Sequence, residues 1–279
     1  MTFKPTSQQK NGPTQDDVLF AAFCNVDMEV DACRQLLAYN LPGVLLGSPD
    51  TRWAKIKPIY DKLVLDYAAN VRRTLACSIG AIASLLNPSI AEKDLFSPFL
   101  TLLNDEDDEY GTIRLGTVRQ SYTFMKTLSS VKRSVAFESL IKLRKSCMSA
   151  LTPARDIRMA IATQLELLAE LKLPMLVDET LTLCQDDVHV VRLAACHALG
   201  KVLMAASAME QFQGLNLLCT WAGDSNYCTR LNFANAALSC MQVANGKTTL
   251  GGKLVPLLKA LKTDRVISVK LAAERALND

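Results

Sequence analysis

Aromatic side chains make up only 6% of this 279-residue chain, histidine occurs twice, and no apolar run approaches a membrane span. Each shortage excludes something. The longest mostly apolar run, Leu75 to Leu86, falls well short of the ~18 residues that would suggest a span, and reads instead as a buried helix. His189 and His197 are the full histidine complement, and neither is followed by glutamate, so the repeated His-Glu pairs of an iron-dependent hydroxylase are absent. No glycine-rich phosphate loop follows a strand, and no G-x-S-x-G elbow occurs. Cys196 and His197 are adjacent, which on a helix turns their side chains about a quarter-turn apart, so they read as a packed thiol beside a rim imidazole rather than a nucleophile and its base. We expect no enzyme activity, no cofactor, no metal and no small-molecule substrate.

Single-signed charge is also scarce. With 31 basic and 28 acidic side chains the formal net charge is +3, too balanced for the concentrated basic stripe that releases counterions from nucleic acid. The nine cysteines show no pair at zinc-site spacing and fall mostly on apolar faces. Reduced, buried thiols in a cytoplasmic or nuclear protein fit that pattern. The polar stretch 1–15, with Pro5, Gly12 and Pro13, carries neither a secretory core nor an arginine-rich amphipathic pattern and is expected to be a disordered tail.

What the chain does have is a repeat. A β-branched or small residue, a base and usually an apolar residue return as Val71-Arg72, Ile113-Arg114-Leu115, Ile157-Arg158-Met159, Val191-Arg192-Leu193, Thr229-Arg230-Leu231 and Val269-Lys270-Leu271. The bases lie 42, 44, 34, 38 and 40 residues apart, close to the period of HEAT and armadillo hairpins. Six residues before five of them stands an aspartate: Asp66, Asp108, Asp186, Asp224 and Asp264, with Thr152 in the remaining unit. A short polar residue there suits the turn between two helices, where it can accept from the unpaired amides opening the second. Pro58, Pro98, Pro174 and Pro256 recur inside or opening the first helices, and Ala76, Ala162, Cys196 and Ala234 allow close helix approach. A weaker unit precedes the six, with Asp31 in phase 41 residues before Arg72 but of reversed charge.

The expected fold is therefore all-α, a right-handed solenoid of about seven HEAT-like hairpins forming one array over 16–279. Units are placed at 16–41, 52–87, 92–128, 134–172, 173–206, 211–244 and 252–279. In the fifth, Leu173 to Cys184 should be the first helix and Val190 to Leu203 the second. Leu41 to Arg52 and Val243 to Gly252, rich in Pro or Gly, read as linkers that bend the superhelix.

Asp66/Arg72, Asp108/Arg114, Arg158, Asp186/Arg192, Asp224/Arg230 and Asp264/Lys270 are expected to form a structural ladder, each Asp meeting the Arg of a neighbouring unit. A stacking element should recur in every unit, whereas partner contacts should break the repeat. The deviations are therefore the candidate partner-binding residues: the acidic run Asp105, Glu106 and Asp107, extended by Asp108 and Glu109; the doubled base Arg72 and Arg73; Tyr227 beside the Asp224 turn; and Asp264 with Arg265. Trp221 at helical spacing from Leu217 and Leu218 reads as core, and Trp53 as the staple of a helix start.

Certain stretches resemble a known family. Tyr39-Asn40-Leu41-Pro42-Gly43 through Trp53 to Val71-Arg72-Arg73-Thr74-Leu75-Ala76, Leu102 to Gly116, and Pro256 to Lys270 look like protein phosphatase 4 regulatory subunit 1. More broadly, the repeat resembles the scaffold A subunit of type 2A phosphatases. The resemblance implies a curved, non-catalytic scaffold whose turns hold a serine/threonine phosphatase catalytic subunit, with Asp264 and Arg265 where such a contact would fall. A structural adaptor in a large cytoskeletal, ciliary or ribosomal assembly, docking through outer helices bearing Lys132, Arg133, Lys142, Arg144 and Lys145, is the alternative.

Overall fold

Apolar residues at i, i+3, i+4 and i+7 cannot be buried by an isolated helical hairpin, and here each hairpin buries them against the next. In a computed structural model, residues 15–149 and 151–278 are described; all but Gln15 of the expected tail lies outside them. The first helices are α1 (Gln15–Cys24), α3 (Pro49–Val64), α5 (Pro88–Leu103), α7 (Ser130–Ser146), α9 (Leu176–Leu183) and α11 (Ala208–Thr220). Their partners are α2 (Asp31–Leu45), α4 (Ala69–Leu85), α6 (Thr112–Met125), α8 (Ala154–Leu168), α10 (His189–Ala205) and α12 (Tyr227–Gln242). A one-turn α13 (Gly246–Thr249), then α14 (Gly251–Leu261) and α15 (Ile267–Asn278), complete the series, and no strand occurs among the described residues.

The second helices stack in sequence, α2 on α4 through to α12 on α15, and form one layer of an α-solenoid. The first helices form the other. One core runs unbroken between the layers from Phe23 to Ala276. Small residues set the spacing of the inner stack: Ala76, Ala162, Cys196 and Ala234 are essentially inaccessible. A Cβ on Gly200 would stand 2.4 Å from the Ser239 carbonyl oxygen, so only glycine lets α10 and α12 approach this closely.

Several boundaries differ from expectation. The linker placed at Leu41 to Arg52 is largely helical, because Leu41 and Leu45, four apart on one buried face, carry α2 through Pro42; only 46–48 separate it from α3, which Pro49 opens. In the fifth hairpin the first helix begins at Leu176 rather than Leu173. Lys172 and Met175 take positive φ values of 50° and 63° on either side of Leu173 and Pro174, which breaks the helical path. Pro58, Pro98 and Pro256 do lie within helices. The stretch 243–252 contains α13 and the start of α14, and Gly246 is required there because a Cβ would meet the Cys240 carbonyl oxygen at 1.9 Å. Trp53 is not at a helix start: it sits a turn into α3, 2% exposed, and its Nε1 donates to Asp94 on α5 at 2.9 Å. Trp221 is core.

Candidate functional site: the turn ridge and the arginine–aspartate pairs beneath it

The turns that join each first helix to its second line one edge of the solenoid. An aspartate in each of four turns folds back on its own backbone: Oδ1 of Asp66, Asp186, Asp224 and Asp264 accepts from the amide two residues on, at 2.7–2.9 Å. That local bond fixes the turn and aims the carboxylate along the stack. At Asp66, Asp186 and Asp264 the arginine of the preceding hairpin then reaches it. Arg158 Nε and Nη2 donate to Asp186 at 2.6 and 3.1 Å, and Arg230 to Asp264 at 2.6 and 3.0 Å. Each of these arginines also uses Nη1 on carbonyls of its own turn, Arg230 on Asp224 O and Ser225 O, Arg158 on Cys147 O and Ser149 O. One guanidinium thus closes its own hairpin and ties the next, the geometry for which a planar fork of donors is suited. The Arg230 guanidinium holds the Asp264 carboxyl below its ordinary range.

Four of the six joints between hairpins carry such a rung, and the membership differs from the sequence expectation. At the first joint the donor is Arg34, 2.5 Å from Asp66, while in-phase Asp31 only supports Arg34 from the side at 2.6 Å. At the second, Arg72 pairs with Asp105, at 2.7 and 3.1 Å, and not with Asp108. Asp108 accepts instead from the amides of Ile113 and Arg114 at 3.0 and 2.9 Å, and Arg114 turns back on it at 3.3 Å. With Thr152 in the next turn, Arg114 has no carboxylate to reach and the third joint has no rung.

The fifth joint also lacks one. Arg192 Nη1 holds Asp186 O and Asp187 O at 2.6 and 2.9 Å, but its Nε is buried without a partner, and Asp224 stays on its own turn. A cleft of about 490 Å³ opens there, between Gln185 of one hairpin and Leu217, Trp221 and Asp224 of the next. Lys270 makes no ion pair among the described residues.

This corrects part of the candidate partner set. Arg72, Asp105 and Asp264 are engaged beneath the ridge, with side chains no more than 8% exposed, so they cannot offer their charge to a partner. Glu106, Asp107, Arg73, Tyr227 and Arg265 are exposed at or beside the turns. Glu109 and Tyr110 join them, so the Asp105 turn projects an acidic, aromatic-tipped loop. One structural residue escaped the sequence reading, and another, Arg144, was placed among the outer-helix docking charges but is engaged in a buried pair. Arg34 stands 38 residues before Arg72, a spacing that would have identified it. Arg144 on α7 pairs with Glu179 on α9 at 2.5 and 3.0 Å, for which the sequence holds no periodic signal.

Chemistry-bearing side chains do not gather elsewhere. Among the described residues no three His, Cys, Asp or Glu come together as metal ligands, and no helix is long and apolar enough to cross a membrane. Cys196 is buried with Sγ 3.6 Å from Asn232 O, while His197 faces solvent.

Residues 37–143 match the family model of the protein phosphatase 4 regulatory subunit 1 middle domain. Among solved structures, a designed armadillo repeat protein superposes over 78% of this chain and 96% of its own at a TM-score of 0.44 and 17% identity. Serine/threonine-protein phosphatase 4 regulatory subunit 1 of Homo sapiens is 28% identical over 252 residues, and that of Mus musculus 28% over 251. These alignments cover 86% of this chain and 26% of the relatives, so the chain, similar to that regulatory subunit along most of its own length, spans about a quarter of theirs.

Proposed function

We propose that this chain is a non-catalytic regulatory scaffold that holds a serine/threonine phosphatase catalytic subunit along its turn ridge, in the cytoplasm. The similarity to phosphatase 4 regulatory subunit 1 over 86% of the chain carries the reading. The ridge supports it physically. Because the charges that recur at four of the six joints are engaged between hairpins, the residues offered to a partner are those that break the repeat: Arg73, Glu106, Asp107, Tyr227 and Arg265. Such a scaffold works by position, since fixed spacing between a bound catalytic subunit and a bound substrate raises their effective concentration.

The test is native co-purification of the tagged chain with mass spectrometry, repeated with Glu106→Lys/Asp107→Lys and with Arg265→Glu. These side chains are exposed, so reversal leaves the interior pairs intact. A stoichiometric phosphatase catalytic subunit that at least one variant loses is the expected result. Recovery of one large assembly without a phosphatase would overturn the reading in favour of a structural adaptor.

A further inference from the structure

The opposite edge of the solenoid uses its charges differently. Where the turn 126–129 joins α6 to α7, an open groove of about 840 Å³ runs between α5 and α7. Lys93 of α5, Lys126 of the turn, and Lys132 and Arg133 of α7 line it above Phe96 and Leu128. None of the four cations makes an ion pair among the described residues, in contrast to Arg34, Arg72, Arg158 and Arg230 of the other edge.

One carboxylate, Glu92, faces the groove, and Ser129 occupies it: the amide donates to Oε2 at 2.5 Å and the hydroxyl to Oε1 at 3.0 Å. The Ser129 amide is the largest cause, with Lys132 a smaller one, of a carboxyl held below its ordinary value. Four cations against one carboxylate leave an excess equal to that of the whole chain.

The cations are also held in place. Arg133 Nε donates to Met125 O at 2.9 Å and Nη2 to Lys126 O at 3.1 Å, so its guanidinium is fixed by carbonyls that neutralise nothing. Lys132 Nζ stands 4.2 Å from the centre of the Phe96 ring, and Lys126 Nζ 5.8 Å from that of Tyr122. Ammonium groups laid on aromatic faces lose freedom before any ligand arrives, which lowers the cost of binding one.

We propose that this groove docks an acidic linear segment of a partner protein, its carboxylates on Lys93, Lys126 and Arg133 and an apolar side chain against the alkyl stem of Lys132. A nucleic acid would call for a continuous basic stripe, whereas Glu138 interrupts the exposed face of α7 before Lys142 and Lys145. The groove serves this role whichever partner occupies the turn ridge.

The probe is a short fluorescein-labelled peptide of glutamates interrupted by leucines, titrated with the full chain and read by fluorescence anisotropy. Saturable binding is expected, weakening with added salt and by roughly tenfold or more in Lys93→Glu/Lys126→Glu. Circular dichroism checks that this variant keeps its helices. A control, Lys259→Glu/Lys262→Glu, makes the same charge change at exposed positions on another hairpin and should leave affinity unchanged. Equal loss in the control, or no saturable binding, would overturn the proposal. So would tighter binding of a single-stranded oligonucleotide or an anionic vesicle at the same salt, weakened by the same reversal.

Discussion

The pairs beneath the ridge lend themselves to a comparison within one molecule, because Arg158 and Asp186 meet while Arg192 and Asp224, at equivalent positions one hairpin on, do not. Arg158 and Asp186 have side chains 4% and 8% exposed and meet at two points. Arg158→Met keeps most of the volume but leaves the carboxylate with the Val188 amide alone and removes the guanidinium from two carbonyls. Removing one member of a buried pair costs about 3–5 kcal/mol, and the position at an edge open to water places the expectation near about 3 kcal/mol. Asp186→Asn should cost somewhat less, because the amide oxygen can still accept from Val188 N–H. In a double-mutant cycle the pair should show a coupling of about 2 kcal/mol, and Arg192 with Asp224 less than about 0.5 kcal/mol. Arg192→Met alone still loses two carbonyl bonds, about 1 kcal/mol each. Urea unfolding followed by helical circular dichroism supplies the cycles. Because solenoids can unfold piecewise, amide exchange should place the Arg158→Met loss at the joint between α8 and α10. Equal couplings in the two cycles would refute the reasoning, since the rung would then count for nothing or the open joint would be closed in solution.

Other perturbations follow from the same packing. Gly200→Ala would ordinarily favour a helix, yet here its Cβ meets a backbone oxygen that cannot move aside, so a loss of about 2 kcal/mol in urea unfolding is expected in place of a gain. Asp264 and Glu92 have folded pKa values lowered from 3.8 and 4.5, so their contribution to stability is complete above those values and is lost as pH falls through the lower folded ones. The urea midpoint should accordingly hold from pH 7 to about 5 and drop below about 4, with part of the drop removed in Asp264→Asn. Burial raises the Cys184 thiol well above its ordinary value and pushes Cys240 up to about 12, whereas Cys77 is exposed. Maleimide at pH 8 should therefore label Cys77 in the native chain and reach Cys184 and Cys240 only on unfolding.

The repeat was legible because the residues that carry it answer to local rules: an Asp that closes a turn, a base one and a half turns later, small residues where helices cross. The all-helical solenoid follows from those and from the 3.6-residue periodicity. Which Asp meets which Arg does not follow, because it depends on the length of each turn. The turn after α5 is longer than the others, which swings Asp105 rather than Asp108 toward Arg72 and leaves Asp108 to cap α6. Helix ends were misread for a similar reason. Leu41 and Leu45 hold α2 helical through a proline by burial, a tertiary effect that outweighs the local signal of Pro42-Gly43. The basic groove was half legible: Lys132 and Arg133 stood out as outer-helix charges, but Lys93 and Lys126 join them only when α5 and α7 are laid side by side.

The two joints without a rung are tied by other means, and in different places. At the third, Tyr122 of α6 donates to Glu170 at 2.5 Å, beyond the far end of α8. At the fifth, Ser239 Oγ of α12 accepts from Gly200 N–H at 3.1 Å and donates to His197 O at 2.5 Å, midway along α10, and Asn232 Nδ2 reaches Cys184 O at 3.0 Å. The first of these lies away from the turn ridge, where Gly111 instead packs against Pro153, and the last reaches Cys184, the first residue of the turn after α9. A ridge tied at four joints holds turn residues at set distances, as a scaffold for one rigid partner requires. At the fifth joint, where Arg192 does not reach Asp224, the cleft beside Trp221 opens between the two turns. The charges that recur space the turns, and the exposed residues that depart from the repeat are the ones we propose a partner reads.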